Sequence, residues 1–288
     1  MKLALGTVQF GLEYGVANSN GQVSLNEVDR ILDFASSISL DTIDTAIAYG
    51  DSERVLGGHD LSAFKVITKL PEMPVDVDAI ENWIKNELQL SLSRLKLKSV
   101  DGLLLHRSHQ LLGEFGDAVY KSLLDLKDSG FVKKIGVSVY SPDEIKAVVD
   151  YRDIDLIQVP MNIFDKRLEQ SGLLSELKCK GVEIHARSVF LQGLLLMNKK
   201  SLPEKFNFWG EHFSVWYEWL AENPDISAAQ LCLNYINQIP EVDKMVIGVD
   251  SLFQLKEAVT SLNRAPNKYP EIFCNDERLL NPSNWTTL

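Results

Sequence analysis

The sequence predicts a single-domain α/β protein, a (β/α)8 or TIM barrel. Eight short apolar runs recur along the chain, amphipathic segments separate most of them, and no Pro- or Gly-rich linker divides the 288 residues. That length suits one large barrel. The runs are LALGT (3–7), DTIDTA (41–46), KVITK (65–69), VDGLLLH (100–106), KIGVSV (134–139), DLIQVP (155–160), VEIHA (182–186) and KMVIGV (244–249). They are short and rich in Val, Ile and Leu, as strands buried on both faces should be. The rival, an open doubly wound sheet, calls for GxGxxG after the first strand, and LALGTVQFG does not supply it.

The helical segments follow in order. Residues 24–37 open with Ser24 as N-cap and Glu27 three residues on, a capping-box pattern. Apolar residues recur at helical spacing over 79–95, and 118–130 ends on Gly130 as a C-cap. Ser-Pro-Asp-Glu starts 141–151, with Pro in the first turn and acids facing the helix dipole. Segments 227–238 and 251–262 complete the ring. Residues 197–224 break the period as an insertion between strand 7 and its helix, on the C-terminal face where barrels keep their active sites. Its stripe FSVWYEWL (213–220) has the spacing of a helix packing aromatics inward. Residues 263–288 form a tail expected to cover part of the barrel.

A formal net charge of −11 disfavours nucleic acid and anionic membranes as partners, because both call for a basic surface. No stretch approaches about 18 uninterrupted apolar residues, and the N-terminus lacks a signal-peptide core, so a cytoplasmic protein is expected. Cys179, Cys232 and Cys274 form no CxxC pair and read as small buried or semi-buried thiols in a reducing compartment. Without an HxH on the first strand or a Cys/His pair at ligand spacing, no metal site is expected.

The C-terminal ends of neighbouring runs carry Asp44, then Tyr49, then Lys69 and His106. Each alone has an ordinary structural reading: a turn cap, a turn tyrosine, a snorkelling lysine, a satisfied histidine. Together, in order at one face of a barrel, they read as a site. DTIDTAIAYGDSERVLG (41–57) resembles the strand-2 signature of the aldo-keto reductase family, with Asp44, Thr45, Ala46, Tyr49, Gly50, Glu53, Leu56 and Gly57 in register. Lys69 and His106 follow in the family's order, and the similarity runs through LIQVPMN (156–162) and FLQGLLL (190–196), covering residues 1–262.

The resemblance implies reduction of an aldehyde or ketone by hydride from NADPH or NADH. Chemically, the carbonyl oxygen must gain a proton as its carbon gains hydride. Tyr49 has a suitable O–H with an ordinary pKa of about 10, and a neighbouring ammonium lowers that value. Asp44 would orient Lys69, and His106 would donate a hydrogen bond to the carbonyl oxygen.

For the cofactor, the resemblance implies Ser138 and Gln158 at the nicotinamide carboxamide. Val139 replaces the usual Asn, with Asn162 as a substitute donor. Arg187 stands where an aromatic stacks on the nicotinamide, and a planar guanidinium can also stack; the alternative is a salt-bridged surface arginine. Gly6 and Thr7 end the first strand; Ser188 and Gly193 follow strand 7; Gly248 precedes a helix N-terminus suited to pyrophosphate. Gln254 and Glu257 match adenosine contacts. Asp250 falls where NADPH-preferring relatives carry Lys or Arg; an aspartate there repels a 2′-phosphate and accepts from a bare ribose, unless Lys199, Lys200 or Lys256 compensates.

Phe10, Tyr14, Trp83 or its neighbours, Phe206, Phe208 and Trp209 are candidates for the pocket mouth. LGTVQFGLEYGVANSNG and ARSVFLQGLL also resemble a bacterial subgroup associated with surface polysaccharides, which implies a sugar or nucleotide-sugar carbonyl. The expected assembly is a monomer or small homo-oligomer. Two other functions fit the same residues: a cofactor-sensing regulatory protein, and a non-redox isomerase or lyase using Tyr49 and Lys69 as base and acid.

Overall fold

In the computed structural model, which describes residues 1–287 apart from Ser19 and Asp78, eight parallel strands close in chain order. They are β1 (Leu3–Gly6), β2 (Thr42–Asp44), β3 (Lys65–Leu70), β4 (Val100–Leu105), β5 (Val132–Ser138), β6 (Leu156–Pro160), β7 (Glu183–Arg187) and β8 (Lys244–Gly248). The ring shuts where β1 pairs with β8 from Leu3–Met245 to Gly6–Gly248.

The helices are α1 (Val8–Gly11), α2 (Leu25–Ser37), α3 (Ser52–Leu56), α4 (Ile80–Leu95), α5 (Gly116–Asp128), α6 (Pro142–Val149), α7 (Arg167–Ser171) and α8 (Leu173–Cys179), then α9 (Gly210–Glu222), α10 (Ala228–Asn237), α11 (Leu252–Ser261) and α12 (Glu277–Leu280). Ser141, Ser227 and Ser251 cap α6, α10 and α11 by accepting from the backbone N–H three residues on. The capping box expected at Ser24 does not form. Glu27 instead accepts from Leu252 N at 2.6 Å, so α2 caps α11 across the barrel wall. The helical pair after β6 escapes periodicity because Gly172, at φ +78°, splits it into pieces too short to show an apolar face.

Strand alternation separates two cores. Outward residues such as Val66, Leu103 and Ile157 join the helices in the large core, while Ile67, Leu104 and Leu156 form a small apolar plug inside the barrel. Two residues further along each strand, on the same inward face, come Lys69, His106 and Gln158. The interior thus turns polar at its C-terminal end. At the opposite end ion pairs fill it: Asp41 with Lys65 and Lys244, and Glu183 with Lys134 and His185. The hydrogen bond from His185, with Lys134 beside it, holds the Glu183 carboxyl down at about 2.

The insertion contributes α9, whose Phe213 and Trp216 pack on Phe164 at ring separations of 5.4 and 6.0 Å. Its aromatics serve the core. The tail is pinned by Cys274 N on Phe164 O and by Trp285, which sits edge-on to Phe206 at 4.9 Å. All three cysteines are free; Cys179 is exposed, contrary to expectation.

Glu53, on α3, is a buried strut. It accepts from Thr68 Oγ1 (2.7 Å), Ser91 Oγ (2.6 Å) and Arg94 Nε (2.7 Å), joining α3 to β3 and α4. Glu53→Gln keeps the shape but removes the charge and an acceptor. Urea unfolding should show it about 1–3 kcal/mol less stable, the cost of leaving buried donors unpaired.

Candidate functional site

Asp44 and Lys69 close β2 and the inner face of β3, and they meet because β2 and β3 are hydrogen-bonded neighbours. Lys69 Nζ donates to Asp44 Oδ1 at 2.8 Å and Oδ2 at 2.7 Å, and to Thr45 O at 3.0 Å. Both side chains are buried. Gln158 Nε2 supplies Asp44 Oδ1 with a further donor at 2.6 Å. Burial works against the Lys69 charge, yet Asp44 outweighs it and the pKa is net raised, so the ammonium stays charged.

Tyr49 lies on the turn after β2, its hydroxyl 3.4 Å from Lys69 Nζ and its ring centroid 5.0 Å from the same nitrogen. His106, just past β4, meets the Tyr49 ring edge-on, with centroids 5.8 Å apart. The Tyr49 phenol is pushed above its ordinary value of 10.0, because burial and Asp44 together outweigh Lys69. Lys69 pulls the value down, as the sequence leads one to expect, but burial is the larger effect and turns the net shift upward. His106 is pushed down to about 3 by burial and by the charges of Lys69, Arg187 and Arg107, so it is a neutral imidazole at ordinary pH.

Above these groups opens a cavity of about 850 Å³. Lining it are Gly6, Thr7, Tyr14, Asp44, Tyr49, His106, Ser138, Gln158, Arg187, Ser188, Gly193, Gly248, Asp250, Gln254 and Glu257; Lys69 sits behind Asp44 and Tyr49. On the far wall Gly248 faces the side chain of Gln9. At Gly248 any side chain would collide with the Gln9 carboxamide. Ser188, Leu191 and Gln192 hold positive φ, as does Gly193, in the loop after β7, an accumulation of strain typical of binding loops. Gln9 Oε1 and Asp250 Oδ1 are buried acceptors on this wall without a hydrogen-bond partner among the described residues.

Several expected residues lie elsewhere. Phe10 is fully buried beneath the first strand's loop and joins the outer core. Trp209 is buried too, its indole donating to Asp276, in a separate cleft with Phe208 on the insertion side. Phe206 is core, and Trp83 packs on the core from α4. Asn162 accepts from Phe164 N and Asp165 N and shapes its own turn, so it supplies nothing to the cavity. Lys199, Lys200 and Lys256 do not line it, and Lys256 sits over Phe34. Arg187 is half-buried and has no salt-bridge partner among the described residues: its guanidinium lies 4.3 Å from the Tyr140 ring centroid and donates to Val139 O at 2.9 Å. Tyr140, missed in the sequence, directly follows SV at the end of β5, and attention to strand C-termini alone could have found it.

The sequence profile of the Aldo/keto reductase family matches residues 2–269. Over 285 residues the chain is 25% identical to the uncharacterized oxidoreductase YqkF of Bacillus subtilis, covering 91% of each protein. It is 26% identical over 198 residues to the NADH-specific methylglyoxal reductase of Escherichia coli, covering 58% of this chain and 57% of that protein. The fold is shared with the holo aldo-keto reductase AKR11C1 of Bacillus halodurans, at a TM-score of 0.73 and 22% identity over 93% of this chain and 88% of that one. It is shared also with the glycerol dehydrogenase AKR11B4 of Gluconobacter oxydans, at 0.69 and 22% identity with the same coverages. With the profile spanning nearly its whole length, the chain belongs to the aldo/keto reductase family of carbonyl-reducing, NAD(P)H-dependent oxidoreductases.

Proposed function

We propose that the protein reduces a small polar aldehyde or ketone to an alcohol, with Tyr49 as general acid and NADH as the preferred cofactor. The observation that carries the chemistry is the Asp44–Lys69–Tyr49 chain opening, beside His106, into the cavity.

When bound, the reduced dinucleotide supplies hydride to the carbonyl carbon. Tyr49 then gives its proton to the carbonyl oxygen, and Lys69 faces the phenolate left behind. Asp44 keeps the lysine charged and aimed. His106, neutral, donates one hydrogen bond to the carbonyl oxygen without competing as an acid. Ser138 and Gln158 sit where a carboxamide would be held. The cavity suits such a cofactor, since its volume of about 850 Å³ falls in the usual ligand range.

The cofactor preference rests on the far end of the cavity, where Asp250 and Glu257 line the wall and Lys is absent from the lining. The N–H groups at the start of α11 are already occupied. Asp250 N donates to Gln254 Oε1 (2.7 Å), Leu252 N to Glu27 Oε1 (2.6 Å) and Gln254 N to Ser251 Oγ (3.3 Å). A 2′-phosphate would meet the two carboxylates of Asp250 and Glu257 and spent donors, whereas a ribose hydroxyl finds Asp250 Oδ1, unpartnered among the described residues. The name of the Escherichia coli relative supports NADH, and both named activities concern small polar molecules. Tyr14 and Gln192 at the mouth offer hydrogen bonds to a polyhydroxylated substrate, in keeping with a sugar carbonyl.

Fluorescence titration is the direct test. NADH is expected to bind at least about tenfold more tightly than NADPH, and Asp250→Arg to narrow or reverse the gap, since one like-charge pair near a surface is worth roughly 1 kcal/mol or more. Equal affinities would remove the cofactor assignment. Binding of neither nucleotide by folded protein would remove the reductase reading and favour non-redox chemistry.

A further inference from the structure

Arg187 is an anomaly for a catalytic cavity in a protein of net charge −11. It projects from the last residue of β7, donates to Val139 O and Ser188 Oγ, and stacks on Tyr140; among the described residues it has no carboxylate partner. It is the sole Lys or Arg in the cavity lining. Lys69, by contrast, is neutralised by Asp44 at 2.7 Å. Arg107, next to His106, carries no acid partner either and lies 5.6 Å from the same Tyr140 ring. Two uncompensated guanidinium groups therefore clamp one aromatic ring beside the catalytic residues. Half-buried cations without counter-charges are costly unless a ligand completes them.

We propose that Arg187 is the seat for an oxyanion on the carbonyl substrate itself, so that the enzyme acts on aldehydes or ketones carrying a carboxylate or phosphate. The position favours substrate over cofactor phosphate. Arg187 shares the Tyr140 ring with Arg107, the neighbour of His106, and His106 in turn meets the Tyr49 ring, whereas Gly248 and the α11 terminus belong to the far wall. Tyr14 supplies a second donor. Its hydroxyl lines the same cavity and accepts from Gln192 Nε2 at 2.9 Å, which leaves the phenolic proton to donate. A guanidinium binds either oxyanion through parallel N–H groups. Arg107 adds field without touching the ligand.

The inference rests on the reductase reading, and the test separates the two. Succinic semialdehyde is compared with butanal, and glyceraldehyde 3-phosphate with glyceraldehyde, by NADH-dependent kcat/KM and by calorimetric binding. The anionic member of at least one pair should be favoured about ten- to a hundredfold, the worth of a charged hydrogen bond. Which pair responds identifies carboxylate or phosphate. Arg187→Gln should bring the charged-to-neutral ratio of kcat/KM to about one, and Arg187→Lys should restore part of the preference. No preference in either pair overturns the proposal. So does Arg187→Gln if it weakens charged and neutral substrates alike, which would make Arg187 a nicotinamide platform instead. Loss of turnover on every substrate defeats the reductase reading, and the calorimetric comparison then still decides the anion seat.

Discussion

Tyr49→Phe should lower kcat for carbonyl reduction by about 10²- to 10⁴-fold, the range of a positioned general acid, while leaving the nucleotide dissociation constant within about twofold. The phenyl ring keeps the edge contact with His106 and removes only the hydroxyl that faces Lys69 Nζ at 3.4 Å. The pH profile tests the same assignment independently. The proton donor must be protonated, and the Tyr49 pKa is displaced upward from 10.0. Reduction should therefore stay level through neutral pH and decline only on the alkaline side of 10.0. His106, held near 3, adds no loss of rate on the acid side until the pH approaches that value. If Tyr49→Phe retains most of the wild-type kcat, the proton comes from elsewhere.

The second large effect falls on the buried pair. Lys69→Met leaves Asp44 as a buried carboxylate with Gln158 as its remaining side-chain donor. Breaking such a pair from one side costs about 3–5 kcal/mol, read as a lowered urea midpoint at unchanged m-value. The double variant Lys69→Met with Asp44→Asn removes both charges and should recover most of that stability. It should not recover activity, because Tyr49 then faces no ammonium. A double variant that regains wild-type kcat would show that Lys69 acts only through the fold. If the single variant loses no stability, the pair does not carry the energy that its burial and its distances of 2.7–2.8 Å imply.

What the chain disclosed by itself was whatever follows from local spacing. Each of the eight strands lies within two residues of an apolar run, since a strand buried on both faces is mostly apolar even where its ends carry charges. The cluster proposed to be catalytic was legible too, because the barrel's closure puts the ends of adjacent strands at one face. Strand order and the resemblance of 41–57 to the family signature were enough to bring Asp44, Tyr49, Lys69 and His106 together.

Tertiary structure decided everything that depended on which neighbour a side chain met. Glu27 reads as a partner for Ser24 but caps α11, because a helix N-terminus two hundred residues away in the chain offers it a freer N–H. Phe10 and Trp209 read as substrate aromatics, yet large apolar rings gain more by entering the core than by lining water-filled space. Only the fold shows that Tyr49 is buried deeply enough for desolvation to outweigh the pull of Lys69 on its pKa. Only the fold shows that Arg187 stands in the cavity without an acid. Sequence fixes the residue and its periodicity; desolvation and partnership are sums over neighbours far apart in the chain, and they exist only once the barrel has closed.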